Sequence, residues 1–148
     1  MRRNLPLQEL GDLLDQPIVS TLATYRRDGT VLLSPVWHEW HDGGFNICAG
    51  TDDVKVRHVR RDPRASLVLY DQRPPYRGVE VRSVTRLVAE GAYAEALRRI
   101  AVRYLGQAAG TAYAAASDGQ GVVIRLEAGA VDLRTWDFAD DFAADATP

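Results

Sequence analysis

The chain has 148 residues, of which 46% are apolar, so it matches one ordinary domain that buries a core without disulfides or metals. Its formal net charge of -2 lacks the basic excess of a general nucleic-acid binder. Cys48 is the single cysteine, and there is neither a signal-like apolar region at the N-terminus nor a run of about 20 apolar residues. We therefore expect a cytoplasmic protein with no nucleic-acid or membrane partner.

The first half of the chain predicts a short helix and then three antiparallel strands. Pro6 suits the first turn of an amphipathic helix that runs to about Asp15. The strands are expected at Ile18 to Tyr25, Thr30 to Trp40 and Phe45 to Ala49. Glycine-containing turns at 26–29 and 41–44 separate them, so the order predicts a β-meander.

The second half predicts longer strands and further helices. The helical patterns lie at Val54 to Arg61, Tyr93 to Leu105 and Ala108 to Ala116, and the extended ones at Arg64 to Asp71, Val79 to about Glu90 and Gly121 to Phe138. Residues 139–148 form an acidic end that we expect to fray. About six strands with tight turns predict a mainly β (α+β) domain built as a closed or nearly closed antiparallel barrel.

The segment from Gly50 to Arg61 is the best candidate for an anion site. A strand ends there and a helix begins, and the free N–H groups of a helix start attract phosphate. Thr51 adds a hydroxyl, while Lys55 and Arg57 add full charges. Lys55 is the only lysine among 18 basic residues. The alternative is that these cations are solvated, or paired with nearby aspartates.

The segment Ser34, Pro35, Val36 and Trp37 interrupts an otherwise regular strand. Proline in a sheet is confined to edges and bulges, so a flat ligand can approach the backbone there. The alternative is an edge proline followed by a core tryptophan.

Other kinds of site find little support in the sequence. His38, His41, Asp42 and Cys48 are metal-compatible, but positions 38 and 41 of a strand face opposite sides, and CxxC and HExxH are absent. Neither a GxSxG elbow nor a glycine-rich phosphate fingerprint occurs. We expect no metal and identify no catalytic residue.

Several motifs occur in a family-specific order. They are Ile18 to Tyr25, the turn Asp28-Gly29, Ser34 to Trp37, Lys55 to Pro63 and Pro75 to Arg82. Over about Leu5 to Phe138 this order resembles the pyridoxamine 5'-phosphate oxidase-like FMN/F420-binding split-barrel superfamily. Within it, the resemblance is closest to the actinobacterial coenzyme F420-dependent oxidoreductases, whose members often end in a strand like Val131 to Trp136. The arginine-rich composition agrees with an actinobacterial source.

The resemblance implies a six-stranded antiparallel Greek-key split β-barrel at residues 5–138. It also implies a homodimer with cofactor sites at the subunit interface. Thr51, Lys55 and Arg57 would hold the phosphate or acidic tail of the cofactor. His58 stands beside them where relatives commonly have asparagine. The backbone of Ser34 to Trp37 would lie against the tricyclic ring.

Three functions remain open at this point. The first is an F420-dependent reductase that passes hydride to a small unsaturated or oxidised substrate, with Tyr76 or Trp136 from the partner subunit shaping the pocket. The second is an FMN-dependent oxidoreductase of the pyridoxamine-phosphate-oxidase type. The third is a non-catalytic cofactor carrier or sensor, because the sequence identifies no proton donor.

Overall fold

The computed structural model describes residues 1–88, 91–129 and 132–143. Within these ranges the strands are β1 (Arg2–Arg3), β2 (Ser20–Tyr25), β3 (Val31–Val36), β4 (Glu39–His41), β5 (Gly44–Gly50), β6 (Arg64–Tyr70), β7 (Gly78–Val84), β8 (Arg86–Val88), β9 (Gly121–Glu127) and β10 (Asp132–Asp137). The helices are α1 (Val54–Arg61), α2 (Ala92–Leu105), α3 (Gln107–Ala115) and α4 (Ala139–Ala143), preceded by a 3-10 helix at Leu7–Asp15.

The strands form two antiparallel sheets. One has six strands in the order β1-β10-β7-β6-β2-β3, and the other has four in the order β4-β5-β9-β8. The mainly β prediction with short helices is confirmed. The six-stranded Greek-key barrel is not confirmed, because the described strands number ten and their sheets do not close into a barrel.

The chain passes from one sheet to the other where two predicted strands break. The run predicted at 30–40 divides into β3 and β4 at Trp37 and His38. The run predicted at 79–90 divides at Thr85, whose N–H and hydroxyl both donate to the carbonyl of Pro63, at 2.7 and 2.8 Å; Ala89 and Glu90 lie outside the described residues. The two predicted hairpins form, but they belong to different sheets, so the single β-meander was wrong.

The helix predictions agree closely with the structure. Helix α1 has the predicted bounds, and the side chain of Asp53 caps it. The N-terminal helix is of the 3-10 type and kinks at Gly11, where φ is 60°. Helix α4 occupies part of the end expected to fray, while residues 144–148 lie outside the described residues, as do 130 and 131 in the last predicted extended run. In the described part of the chain, no helix has the length and hydropathy needed to cross a membrane.

The core lies between the two sheets. Buried side chains alternate along the strands, so that Leu22, Leu67 and Val81 of the larger sheet meet Phe45 and Ile124 of the smaller one in one cluster. Leucines of the 3-10 helix and valines of α1 close the ends of the same cluster. Helix α2 packs on β5 and β9 and therefore covers the smaller sheet.

His38 lies fully buried at the crossing from β3 to β4. Its Nδ1 is 2.9 Å from the Ser20 hydroxyl, and its Nε2 is 3.3 Å from a guanidinium nitrogen of Arg103. Because arginine only donates, Nε2 accepts and Nδ1 carries the proton. Burial, and secondly the positive charge of Arg103, lower the pKa of His38 from 6.5 to about 3. The imidazole is therefore neutral in the folded protein.

This burial predicts a loss of stability in mild acid. The unfolded chain binds a proton at His38 near pH 6.5, whereas the folded chain does so only near pH 3, so the contribution is present above pH 6.5 and falls as the pH drops through that window. Between about pH 6.5 and about pH 5 we expect His38 to cost about 2 kcal/mol of unfolding free energy. Urea unfolding across this range measures it.

The matched control for this prediction is His38→Gln, which does not titrate. His58 is also buried, and burial is the first cause that lowers its pKa. Because both proteins contain His58, its contribution cancels in the difference between their two slopes. The slope of stability against pH should be shallower in His38→Gln by about 1.4 kcal/mol per pH unit. Equal slopes would show that His38 does not carry the effect.

Candidate functional site

A cavity of about 270 Å³ lies where the chain leaves β3. Its lining combines residues from β3, β5, α1, α2 and α3, namely Pro35, Val36, Trp37, Cys48, Lys55, Leu97, Ile100 and Tyr113. We call this space the Trp37 cavity. It joins two motifs that are distant in sequence, the proline-containing end of β3 and the first turn of α1.

Lys55 reaches the Trp37 cavity from α1, held by the residue that caps that helix. The carboxylate of Asp53 accepts the backbone N–H of Lys55 at 3.0 Å and pairs with its ammonium group at 2.5 Å. Burial alone would raise the pKa of Asp53, but these two hydrogen bonds and the lysine charge hold it below its usual value. The single lysine therefore contributes its charge at the cavity while sharing it with one carboxylate.

Trp37 forms an aromatic group with two tyrosines from the helical pair. The Tyr104 ring of α2 stacks on the indole at a centroid distance of 4.9 Å and an angle of 9°. The Tyr113 ring of α3 lies 5.5 Å from it, tilted by 51°. The Tyr104 hydroxyl donates to the carbonyl of Ile18 at 2.7 Å and accepts the N–H of His38 at 3.3 Å, so this ring is fixed to the crossing.

The remaining wall of the Trp37 cavity is apolar. Leu97 and Ile100 lie one turn apart on α2 and are almost fully buried. Burial raises the pKa of the Cys48 thiol to about 12, so it is protonated near neutral pH. A flat apolar group with an anionic substituent near Lys55 suits these surroundings.

Four predicted cofactor residues lie outside the lining of the Trp37 cavity. Ser34 is half-buried within β3, and Thr51 lies at the end of β5, where its carbonyl accepts from Arg60. Arg57 is exposed, and no described carboxylate lies within ion-pair distance of it. His58 is buried, with Nδ1 3.0 Å from the Thr24 hydroxyl, so it faces the core rather than solvent.

A second concave surface lies at the other end of α1. It is lined by Tyr25, Arg26, Arg27, Gly29, Arg61, Asp62 and Arg64, and its volume is about 590 Å³. We call it the arginine groove. Asp62 is its one carboxylate and pairs with Arg64, whereas Arg61 donates to the carbonyl of Tyr25. The groove therefore has an excess of positive charge.

Helix α1 contributes Lys55 to the Trp37 cavity and Arg61 to the arginine groove. Lys55 and Arg61 are six residues apart, which corresponds to about 9 Å along an α-helix. Arg57 lies between them in sequence and adds a further exposed guanidinium, on the side of the helix that carries Arg61. The positive charges of Arg61, Arg26 and Arg57 each contribute to lowering the pKa of His58, after burial, which indicates how closely they cluster. Helix α1 thus presents cations along its whole length.

The two predicted substrate-pocket residues lie elsewhere in the chain. Trp136 packs over Gly78, and Arg134 lies 5.6 Å above its ring. Strand β10 is four strand spacings from β3 in the larger sheet, or about 19 Å. Tyr76 packs its ring against Phe142 of α4. Neither residue lines the Trp37 cavity of its own chain.

The α2–α3 side of the cavity was missed from the sequence. The spacing of Leu97 and Ile100 predicts only a helix face packed on the core. The available signal was Tyr113, the single aromatic residue in an alanine-rich helix. Among the described residues, no group of three or more His, Cys, Asp or Glu side chains is placed to hold a metal ion.

Three solved structures have folds similar to that of this chain. A conserved hypothetical protein from Mycobacterium tuberculosis has 28% identity and a TM-score of 0.74, over 90% of this chain and 86% of that one. An F420 reductase has 26% identity and a TM-score of 0.63, over 82% and 94%. An FAD- and haem-binding protein from Mycobacterium smegmatis shares the fold at 18% identity and a TM-score of 0.73, over 100% and 82%.

The comparison with curated proteins gives no match. The profile of the pyridoxamine 5'-phosphate oxidase family matches residues 7–135, a range that includes strands β2 to β9, part of β10 and the Trp37 cavity. The chain belongs to the pyridoxamine 5'-phosphate oxidase family.

Proposed function

We propose that this protein is an oxidoreductase that binds coenzyme F420 along helix α1 and reduces a small unsaturated or oxidised organic substrate. One observation carries the proposal: the backbone of Pro35 to Trp37 and the ammonium group of Lys55 meet in one cavity, from which cations continue along α1. The similarity to an F420 reductase at 26% identity supports the same choice.

The residues fit the successive parts of such a cofactor. Most side chains that line the Trp37 cavity are apolar or aromatic, which suits a flat ring. Lys55 suits a phosphate group as a point charge, whereas Arg57, two residues on, lies on the side of the helix that also carries Arg61 and suits the acidic tail. The arginine groove suits a chain of carboxylates, which F420 carries beyond its phosphate and FMN lacks. This last feature favours F420 over FMN.

The protein's part in such a reaction is positioning and exclusion of water. The deazaflavin supplies hydride chemistry when bound. Leu97 and Ile100 present apolar surface to the cavity, and the stacked pair of Trp37 and Tyr104 provides a surface for a ring. The hydroxyl of Tyr113, the ammonium group of Lys55 and the thiol of Cys48 all line this space, and the first two are the candidate proton donors of the proposed reaction.

The first prediction for the proposed function concerns the competition between Asp53 and a bound anion for the ammonium group of Lys55. Lys55→Ala removes the ammonium group and leaves the carboxylate, so affinity for F420 should fall by about 1.5–3 kcal/mol, or roughly 10- to 150-fold. Asp53→Asn removes the competing charge and keeps a good N-cap, so affinity should rise. Titration of the deazaflavin fluorescence measures both.

The control for charge is Arg98→Ala, which removes one exposed cation of α2 outside both the Trp37 cavity and the arginine groove. It should leave the dissociation constant for F420 unchanged. If Lys55→Ala also leaves it unchanged, Lys55 is a structural partner of Asp53 and the proposed cofactor site is wrong.

The second prediction separates F420 from FMN. The double variant Arg27→Ala/Arg61→Ala removes two charges from the arginine groove, each worth about 0.5–1 kcal/mol at an exposed site. Affinity for F420 should fall by roughly five- to thirtyfold, and the loss should shrink at high salt. Affinity for FMN should not change. An equal loss for both cofactors would show that the groove does not hold the acidic tail.

The proposal includes a homodimer. Val31 and Leu33 alternate with inward residues along β3, the edge strand of the larger sheet, and Leu33 is 65% exposed. Tyr70 of β6 and Val84 of β7 are also exposed on this sheet. A second copy that covers this surface would remove an exposed edge and apolar area from water. It would also bring Tyr76 or Trp136 from the partner subunit towards the Trp37 cavity.

The third prediction tests this interface. Leu33→Glu places a charge in the proposed contact, so the protein should sediment as a monomer in analytical ultracentrifugation. Leu105→Glu is the matched control, because Leu105 is similarly apolar and partly exposed but lies at the end of α2. A dimer that persists in Leu33→Glu, or a monomeric wild-type protein, would contradict the interface.

A further inference from the structure

The two tyrosines that contact Trp37 differ in how firmly they are held. Tyr104 is anchored through its hydroxyl to Ile18 and His38, and it lies behind the indole, outside the lining of the cavity. Tyr113 lines the cavity, is 52% exposed, and has no hydrogen bond from its hydroxyl within the described residues. One tyrosine is therefore part of the framework and the other lies at the mouth.

Helix α3, which carries Tyr113, packs along α2 and is otherwise largely exposed. Of its nine residues only Gly110 is buried. A Cβ at Gly110 would lie 2.3 Å from the Cα of Val102, so the two helix backbones touch there. The principal contacts of α3 are with α2. Because the Tyr113 side chain is half exposed and lies outside the buried core cluster, its ring can rotate without moving α3 or disturbing the core.

The ring of Tyr113 occupies the place where a flat ligand would meet Trp37. Tyr104 stacks on one face of the indole, which leaves the cavity side for another ring. Tyr113 lies on that side, tilted rather than stacked, so it covers the indole incompletely. A flat conjugated ring stacks better than a tilted one and gains contact with Leu97 and Ile100.

We infer that Tyr113 is a specificity-determining residue, whose ring swings outwards to admit a flat conjugated ring onto Trp37 and limits the size of the ring that fits. The ligand class is an uncharged conjugated ring with an anionic substituent that reaches Lys55. This inference rests on the proposed function, because the ring belongs either to the cofactor or to its substrate.

The experiment uses two aromatic carboxylates of different size, 2-naphthoate and pyrene-1-carboxylate, with the full chain free of cofactor. Isothermal titration calorimetry gives the affinity of each for the wild-type protein and for Tyr113→Ala. Removal of the ring should improve binding of the pyrene compound at least tenfold relative to the naphthalene compound. Trp37→Leu should weaken both at least tenfold, because the stacking surface is lost.

Two variants control for unrelated effects. Tyr113→Phe keeps the ring without its hydroxyl and should retain the wild-type preference for the smaller compound. Leu105→Ala removes an apolar side chain of similar exposure at the end of α2, outside the cavity, and should also retain it. The inference is overturned if Tyr113→Ala leaves the ratio of the two affinities unchanged. It is also overturned if both compounds fail to bind to the wild-type protein and to Tyr113→Ala.

Competition with F420 then identifies the source of the ring. If F420 displaces 2-naphthoate, the cofactor ring occupies the cavity. If both bind together, the cavity holds the substrate ring, and the placement of the cofactor ring in the Trp37 cavity is wrong. Failure of F420 to bind overturns the proposed function alone, since the size preference for the two carboxylates is measured without any cofactor.

Discussion

The buried imidazole of His38 holds together the part of the molecule on which the Trp37 cavity depends. It lies where the chain leaves one sheet for the other, and it contacts β2 through Ser20 and α2 through Arg103. The same guanidinium donates to the carbonyls of His38, Leu14 and Gln16, so the crossing, the N-terminal helix and α2 share one hydrogen-bonding centre. Each such bond contributes about 0.5–1.5 kcal/mol net, and an unpaired buried partner would cost more. The arrangement is therefore strongly specified.

The hydrogen bonds of His38 and Arg103 position the aromatic residues of the site. The crossing sets Trp37 immediately before His38, and Tyr104, which contacts the same imidazole, stacks on the indole. Strand β3 lies at the edge of the larger sheet, so no neighbouring strand on its outer side needs a backbone N–H from residue 35. Proline, which has no backbone N–H, is therefore tolerated there. Helix α1 then approaches with its capped first turn, because Asp53 fixes both the backbone and the side chain of Lys55. An apolar cavity with one charged edge results.

Local features of the fold were predictable because they depend on neighbouring residues. Helix α1 has its expected bounds, since Asp53 supplies the cap and Pro63 prevents continuation. Both hairpin turns contain glycines at positive φ, Gly29 at 83° and Gly43 at 76°. The division of residues 30–40 into two strands was not predictable, because the break is stabilised by Ser20, Arg103 and Tyr104 rather than by anything within the strand. His38, considered from the sequence as a metal-compatible residue, has its hydrogen bonds satisfied in this network instead.

The sequence by itself determined the family-specific order of motifs, the capped helix that carries Lys55, and the proline-containing segment that leads to Trp37. Those features arise from turn chemistry, capping and alternation, which act over a few residues. Only the tertiary structure decided that Lys55 and Trp37 share a cavity, that Lys55 is paired with Asp53, and that His58 faces Thr24. It also decided that Tyr113, 76 positions after Trp37, completes the wall. Such contacts depend on how two sheets and three helices pack, and packing is set by long-range burial that no local pattern encodes.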